Sequence, residues 1–230
     1  LEIIRFIENT YDVNSITNND VKIWDYLKYQ IYFEIELKFF GLQRKLYQKS
    51  PSNFVYNYFW NSEYKNKTYD YVLFTDIYEQ RKINDKLEDK LAYNIIHQLS
   101  PNILTIINPL NCLLSGNYNY TAVSLNKLSY YRLYRSKIIN KRIVNNILDI
   151  LDIDLSIQHM VNRFRALSNR ADKFFKKNRV NTVFINCYYS LFNQSIIYAA
   201  KLNNIAVAEI QHGLISKKQY YYNPNISSSK

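Results

Sequence analysis

Residues 181–210 constrain the fold more than any other stretch of the chain. Asn181-Thr182-Val183-Phe184-Ile185-Asn186 reads as a buried strand and Leu191 to Leu202 as a helix. Asn203-Asn204 reads as a turn, and Ile205-Ala206-Val207-Ala208-Glu209-Ile210 as a second strand. A strand–helix–strand unit of this kind brings its second strand back parallel to the first through a right-handed crossover. Parallel strands are buried on both faces, so the rest of the chain must supply more strands and helices to cover them.

The remaining sequence has that alternation. Tyr69-Asp70-Tyr71-Val72-Leu73-Phe74-Thr75-Asp76 has a continuous apolar centre, as does Ile103-Leu104-Thr105-Ile106-Ile107, which Asn108-Pro109 closes. Ala122-Val123-Ser124-Leu125 reads as a short strand. After the first strand comes the polar stretch Glu79-Gln80-Arg81-Lys82-Ile83-Asn84. Asp85 then starts a helix with the stripe Leu87, Leu91, Ile95 and Leu99, which Pro101 ends. Ile138, Ile139, Ile143, Ile147 and Leu148 mark a basic amphipathic helix; Met160, Phe164, Leu167, Ala171, Phe174 and Phe175 mark another. Near the start, Asn19 or Asp20 can cap a helix carrying Val21, Trp24, Leu27, Ile31 and Ile35, which runs to about Gly41, with Pro51 as a firm stop.

The class expected is therefore α/β: a Rossmann-like, mainly parallel sheet with helices on both faces, preceded by an N-terminal helical extension. Residues 1–68 are assigned to the extension, packed on the domain, and 69–230 to the Rossmann-like domain. In 230 residues, 47% are apolar, which supports a substantial core. Three glycines in the whole chain leave no Gly-rich dinucleotide fingerprint and no Walker loop.

Charge narrows the partners. The net charge of +11 favours nucleic acid, phosphorylated substrates or an anionic membrane surface. The basic residues are spread along the chain and form no recognisable nucleic-acid module, so no nucleic-acid partner is expected, although a basic nucleic-acid binder or a non-catalytic Rossmann-like scaffold stays as the competing class. The heavy use of Asn, Ile, Lys and Tyr follows from AT-rich codons, and the 23 tyrosines need no base-stacking role. No apolar run approaches the roughly 18 residues needed to span a bilayer. Cys112 and Cys187 read as two free thiols in a reducing compartment. Asp152-Ile153-Asp154 reads as helix-end or turn carboxylates, so neither a metal nor a cofactor is expected.

Ligands of open α/β sheets bind beyond the carboxyl ends of the strands. Three such ends stand out: Thr75-Asp76 followed by Arg81-Lys82, Asn186-Cys187-Tyr188-Tyr189-Ser190, and Gln211-His212-Gly213. A glycine after a buried strand permits a tight turn with backbone amides facing a ligand. His212 at such a rim can donate to a phosphate or a sugar hydroxyl, shuttle a proton, or hold the turn. Ser190 and Gln211 join the candidate binding residues by position.

The segment Glu209-Ile210-Gln211-His212-Gly213-Leu214-Ile215-Ser216, with Tyr220-Tyr221-Tyr222-Asn223-Pro224 after it, resembles the E-x-Q-H-G-x-I segment of bacterial capsule and lipopolysaccharide glycosyltransferases, which are GT-B-like. Tyr69 to Asp76, with Arg81-Lys82-Ile83-Asn84 and Asp89-Lys90, resembles their N-terminal half. A related His-Gly element occurs in teichoic-acid-type glycerophosphotransferases, which leaves the transferred group open. The resemblance implies a two-domain enzyme that moves a sugar from a nucleotide-sugar donor to a glycan or lipid-linked acceptor. This chain would be its N-terminal, acceptor-side domain, without the C-terminal donor domain, and inactive as a fragment. The chain also begins at Leu1 rather than Met, as an excerpt would. The implied location is the cytoplasm, peripheral to the inner face of the membrane. Transfer needs a base for the acceptor hydroxyl and positive charge for the leaving phosphate. Asp76 is the expected base, and His212 the alternative base or a phosphate contact. Arg81 and Lys82 are expected to hold an anionic acceptor or a diphosphate, with Gln211, Gly213 and Ser190 completing the binding set.

Overall fold

The computed structural model describes residues 2–19, 21–41, 68–76, 79–108, 118, 120–124 and 136–211. Five parallel strands form the central sheet: β3 (Tyr71–Asp76), β6 (Ile103–Asn108), β7 (Ala122–Ser124), β8 (Thr182–Ile185) and β9 (Ala206–Glu209). Their order is β7-β6-β3-β8-β9. The chain starts at the centre with β3, steps outward through β6 and β7, then crosses back to lay β8 on the other side of β3. That reversal makes a topological switch point between β3 and β8.

The register explains why the apolar runs are continuous. Val72 pairs with Leu104 on one side and Val183 on the other, Phe74 pairs with Ile106 and Ile185, and Val183 pairs with Val207. Alternate residues face opposite sides of the sheet. Val72, Phe74, Leu104, Ile106, Val183 and Ile185 meet Ala171 and Phe175 of α5 (Ile157–Asn178) and Ile196, Ala199 and Ala200 of α6 (Leu191–Leu202). Leu73 and Ile103 face the other way, onto Ala92 and Ile96 at α3 (Tyr93–Leu99). Helices therefore cover both faces, and the α/β Rossmann-like expectation holds.

A second apolar core lies beside the sheet. Ile4 and Ile7 of α1 (Glu2–Thr10) and Trp24, Leu27 and Ile31 of α2 (Trp24–Phe39) pack with Val144 and Ile147 of α4 (Lys141–Leu151) and with Ile157, Met160 and Val161 of α5. The long α5 thus serves both cores, the N-terminal half in one and the C-terminal half in the other. Lys28 is buried between Asp25 at 3.1 Å and Glu8 at 3.4 Å. The Trp24 indole also donates to Glu8, at 2.9 Å. Gly41, at φ +63°, takes the left-handed position just past α2, where the lack of a Cβ removes the steric penalty. Among the described residues no helix is long and apolar enough to cross a membrane.

Two local expectations are corrected. Neither Asn19 nor Asp20 caps α2: Ile23 holds that position, and Val21 belongs to the short hairpin β1 (Thr17–Asn18) and β2 (Val21–Lys22), whose turn passes through Asn19 at φ 45°. Asp20 itself lies outside the described residues. Nor does Asp85 start a helix. Asn84 and Asp85 both have positive φ, 47° and 60°, and close a two-residue turn between β4 (Gln80–Ile83) and β5 (Lys86–Asp89). Two consecutive left-handed residues are what a tight antiparallel hairpin requires, and Asn and Asp tolerate them. The helix begins only at Tyr93, so Leu87 lies on a strand.

Candidate functional site

The carboxyl edge of the sheet can be read from its register. Asp76 pairs with Asn108, and Phe74, Ile185 and Glu209 share one row. Asp76 ends β3 two residues past that row, and Gln211 lies two residues past the end of β9. Asp76 is half-buried and on the α5/α6 side of the sheet, whereas Thr75 beside it is on the α3 side. Gln211 is exposed and is the last described residue, so His212 and Gly213 lie outside the described residues, as does Cys112.

At the switch point a chain of hydrogen bonds joins five segments. The Asn186 amide donates to Thr75 Oγ1 at 2.7 Å, and the Thr75 hydroxyl donates to Asp89 Oδ2 at 2.7 Å. Gln80 Nε2 donates to the same oxygen at 2.9 Å, and the Tyr120 hydroxyl donates to Gln80 Oε1. Asp89 Oδ1 accepts from the backbone amides of Leu91 at 3.0 Å and Ala92 at 2.7 Å. Asp89 is fully buried. Four donors replace the water that its carboxylate loses, which is how a buried charge is tolerated. Burial, with the Asp89 charge next, pushes the Tyr120 phenol far above its ordinary value, so it remains a donor.

The loop between β8 and α6 is held from several sides. Ser190 is the N-cap of α6, its hydroxyl accepting from the Asn193 amide at 3.1 Å. Asn193 Nδ2 donates to the Cys187 carbonyl, Glu209 Oε1 accepts from the Tyr188 amide at 3.2 Å, and Gln30 Nε2 donates to the Tyr189 carbonyl at 3.4 Å. Glu209, the first residue of the Glu-Ile-Gln-His-Gly segment, therefore ties β9 to the neighbouring loop. The Cys187 thiol is pushed up by burial, which keeps it protonated and a poor nucleophile.

Arg81 and Lys82 both lie on β4 and are exposed. Lys82 Nζ stands 2.8 Å from Asp85 Oδ1 across the turn, and both side chains are solvated, a contact worth about 0–1 kcal/mol. Asp152 occupies the left-handed position that ends α4 and pairs with Lys38 at 2.5 Å, whose ammonium holds its carboxyl below the usual range. Among the described residues no group of three or more His, Cys, Asp or Glu could hold a metal ion.

The structure thus brings Asp76 and Gln211 to one edge and sets the Arg81–Lys82 hairpin and the Ser190 cap on loops leaving that edge. Sequence reasoning missed Asp89, Thr75, Gln80 and Asn186 as a unit. The available signal was Asn84-Asp85, a pair suited to a hairpin turn, which would have placed Gln80 opposite Asp89.

No family model and no curated protein matches this chain. Among solved structures it is similar to a UDP-N-acetylglucosamine 2-epimerase, with 14% identity and a TM-score of 0.32, over 70% of this chain and 37% of that one. The chain thus spans just over a third of that enzyme's length, and at this level of likeness the reading of the site rests on the chain's own residues.

Proposed function

We propose that this chain is the acceptor-side domain of a GT-B-type glycosyltransferase, moving a sugar from a nucleotide-sugar donor to a glycan or lipid-linked acceptor in bacterial surface-polysaccharide assembly. The observation that supports the reading is that β3, which ends in Asp76, and β9, which leads through Gln211 into His212-Gly213, run parallel in one sheet on either side of β8. Asp76 takes the proton of the acceptor hydroxyl. The freed oxygen attacks the anomeric carbon, the bond to the diphosphate breaks, and the nucleoside diphosphate leaves. His212 donates to the leaving phosphate, and the basic hairpin holds an anionic group of the acceptor. The net charge of +11 supports peripheral contact with an anionic membrane face.

The test is His212→Ala in the full-length enzyme. Turnover should fall at least about 10²-fold while the melting temperature stays within about 1 °C. A lowered melting temperature, with turnover reduced only in proportion to the folded fraction, would show that His212 merely pins the turn.

A further inference from the structure

Asp89, at 0% exposure, is the most deeply buried carboxylate among the described residues, and no Lys, Arg or His forms an ion pair with it there. Its oxygens instead take two donors each: Thr75 of β3 and Gln80 of β4 on one, the Leu91 and Ala92 amides ahead of α3 on the other. A carboxylate used only to cap α3 would need the last two alone. The first pair fastens the hairpin to the strand that ends in Asp76, and Asn186 extends the fastening to β8.

The residue next to Gln80 is Arg81. Adjacent strand residues face opposite ways, so Gln80 turning toward Asp89 puts Arg81 on the other face of the hairpin. Arg81 is exposed, and among the described residues it forms no ion pair. Its cross-strand partner Glu88 shares a face with it and is buried, while Arg81 itself is exposed. Lys82 is already engaged with Asp85. We infer that Asp89 is a positioning residue: through Gln80 and Thr75 it locks the β4–β5 hairpin at the switch point, so that Arg81 is presented at the carboxyl edge as the contact for a diphosphate-like anion. The inference rests on the reading above that this hairpin holds an anionic group. A guanidinium on an anchored hairpin loses less freedom when it binds than one on a free loop.

Asp89→Asn tests the coupling. An Asn has one acceptor oxygen where the carboxylate has two, so whichever pair of donors the oxygen keeps, the amide nitrogen faces the other pair. Inorganic pyrophosphate is titrated calorimetrically into the full chain, its Arg81→Ala and Asp89→Asn variants, and the double variant. Arg81→Ala should weaken binding at least about tenfold. Asp89→Asn should weaken it about fivefold in the parent, but by less than about 1.5-fold when Arg81 is already gone. Equal loss from Asp89→Asn in both backgrounds overturns the inference. So does a lowered melting temperature with unchanged affinity, an Arg81→Ala variant that binds normally, or a parent chain that does not bind pyrophosphate. If Asp89→Asn does not fold, Gln80→Ala removes one donor from the same carboxylate and should show the same dependence on Arg81. Arg81-dependent pyrophosphate binding coupled to Asp89, in an enzyme that transfers no sugar, supports this inference and strikes the function proposed above.

Discussion

Replacing Phe74 by Leu tests the packing that underlies the carboxyl edge. Phe74 is 1% exposed on the central strand. Its ring centroid lies 6.5 Å from that of Phe175 at an interplanar angle of 88°, and 5.8 Å from that of Phe192 at 62°. Leucine retains most of the buried apolar surface but forfeits both edge-on ring contacts, at about 0.5–1.5 kcal/mol each. The expected loss is about 1–3 kcal/mol, against about 3–5 kcal/mol for truncation to Ala. Since a domain has about 5–15 kcal/mol in hand, the Leu variant should stay folded, and Ala should be the more destabilised of the two. A chain of this size should lose about 2–4 °C in melting temperature per kcal/mol. Urea unfolding followed by far-UV circular dichroism gives the free energy directly. Phe6→Leu is the control, because Phe6 is 61% exposed and its replacement should change stability by less than about 0.5 kcal/mol. In a double-mutant cycle, Phe74→Leu and Phe192→Leu should couple by about 0.5–1.5 kcal/mol. A loss no larger than the Phe6 control, or no coupling to Phe192, would mean that β3 does not run beneath α6, and the edge built on its register would fall with it.

Ser190→Ala should cost about 1 kcal/mol through loss of the α6 cap, seen as a fall of about 2–4 °C in melting temperature. Turnover reduced beyond the unfolded fraction in that variant would point to direct substrate contact. Burial works to raise the Asp172 carboxyl, but Lys176 and Asn203, each at 2.8 Å, outweigh it and hold the group below its ordinary 3.8. A depressed carboxyl contributes stability above its unfolded value and loses it as pH falls through the folded one. The stability advantage of the parent over Asp172→Asn should therefore be full above about pH 5 and shrink below about pH 4. Melting curves across that range check the sign; an advantage that grows as pH falls would refute it.

Most of the sheet was legible in the sequence, because burial on both faces writes itself as an apolar run. Val72, Leu104, Val183 and Val207 each sit in such a run, and all four fall in the parallel sheet. The α6 boundaries, Leu191 to Leu202, were equally legible, since Ser190 marks the start and Asn203-Asn204 the turn. The sequence left strand order and register open, and both depend on which apolar faces meet. Only the tertiary structure put β8 beside β3, and so made a switch point and one edge out of residues distant in the chain. It also decided the hairpin. Leu87, Leu91, Ile95 and Leu99 recur at helical spacing, yet Asn84 and Asp85 turn the chain back and split that stripe between a strand and a helix. Periodicity records which residues are apolar and says nothing about where a polar one finds its donors. Asp89 looks like a surface residue beside Lys90, and its burial depends on Thr75, 14 residues away, and on Asn186, 111 residues beyond Thr75. Hydrogen bonds over such separations leave no local pattern, so the polar chain at the switch point exists only once the sheet has formed.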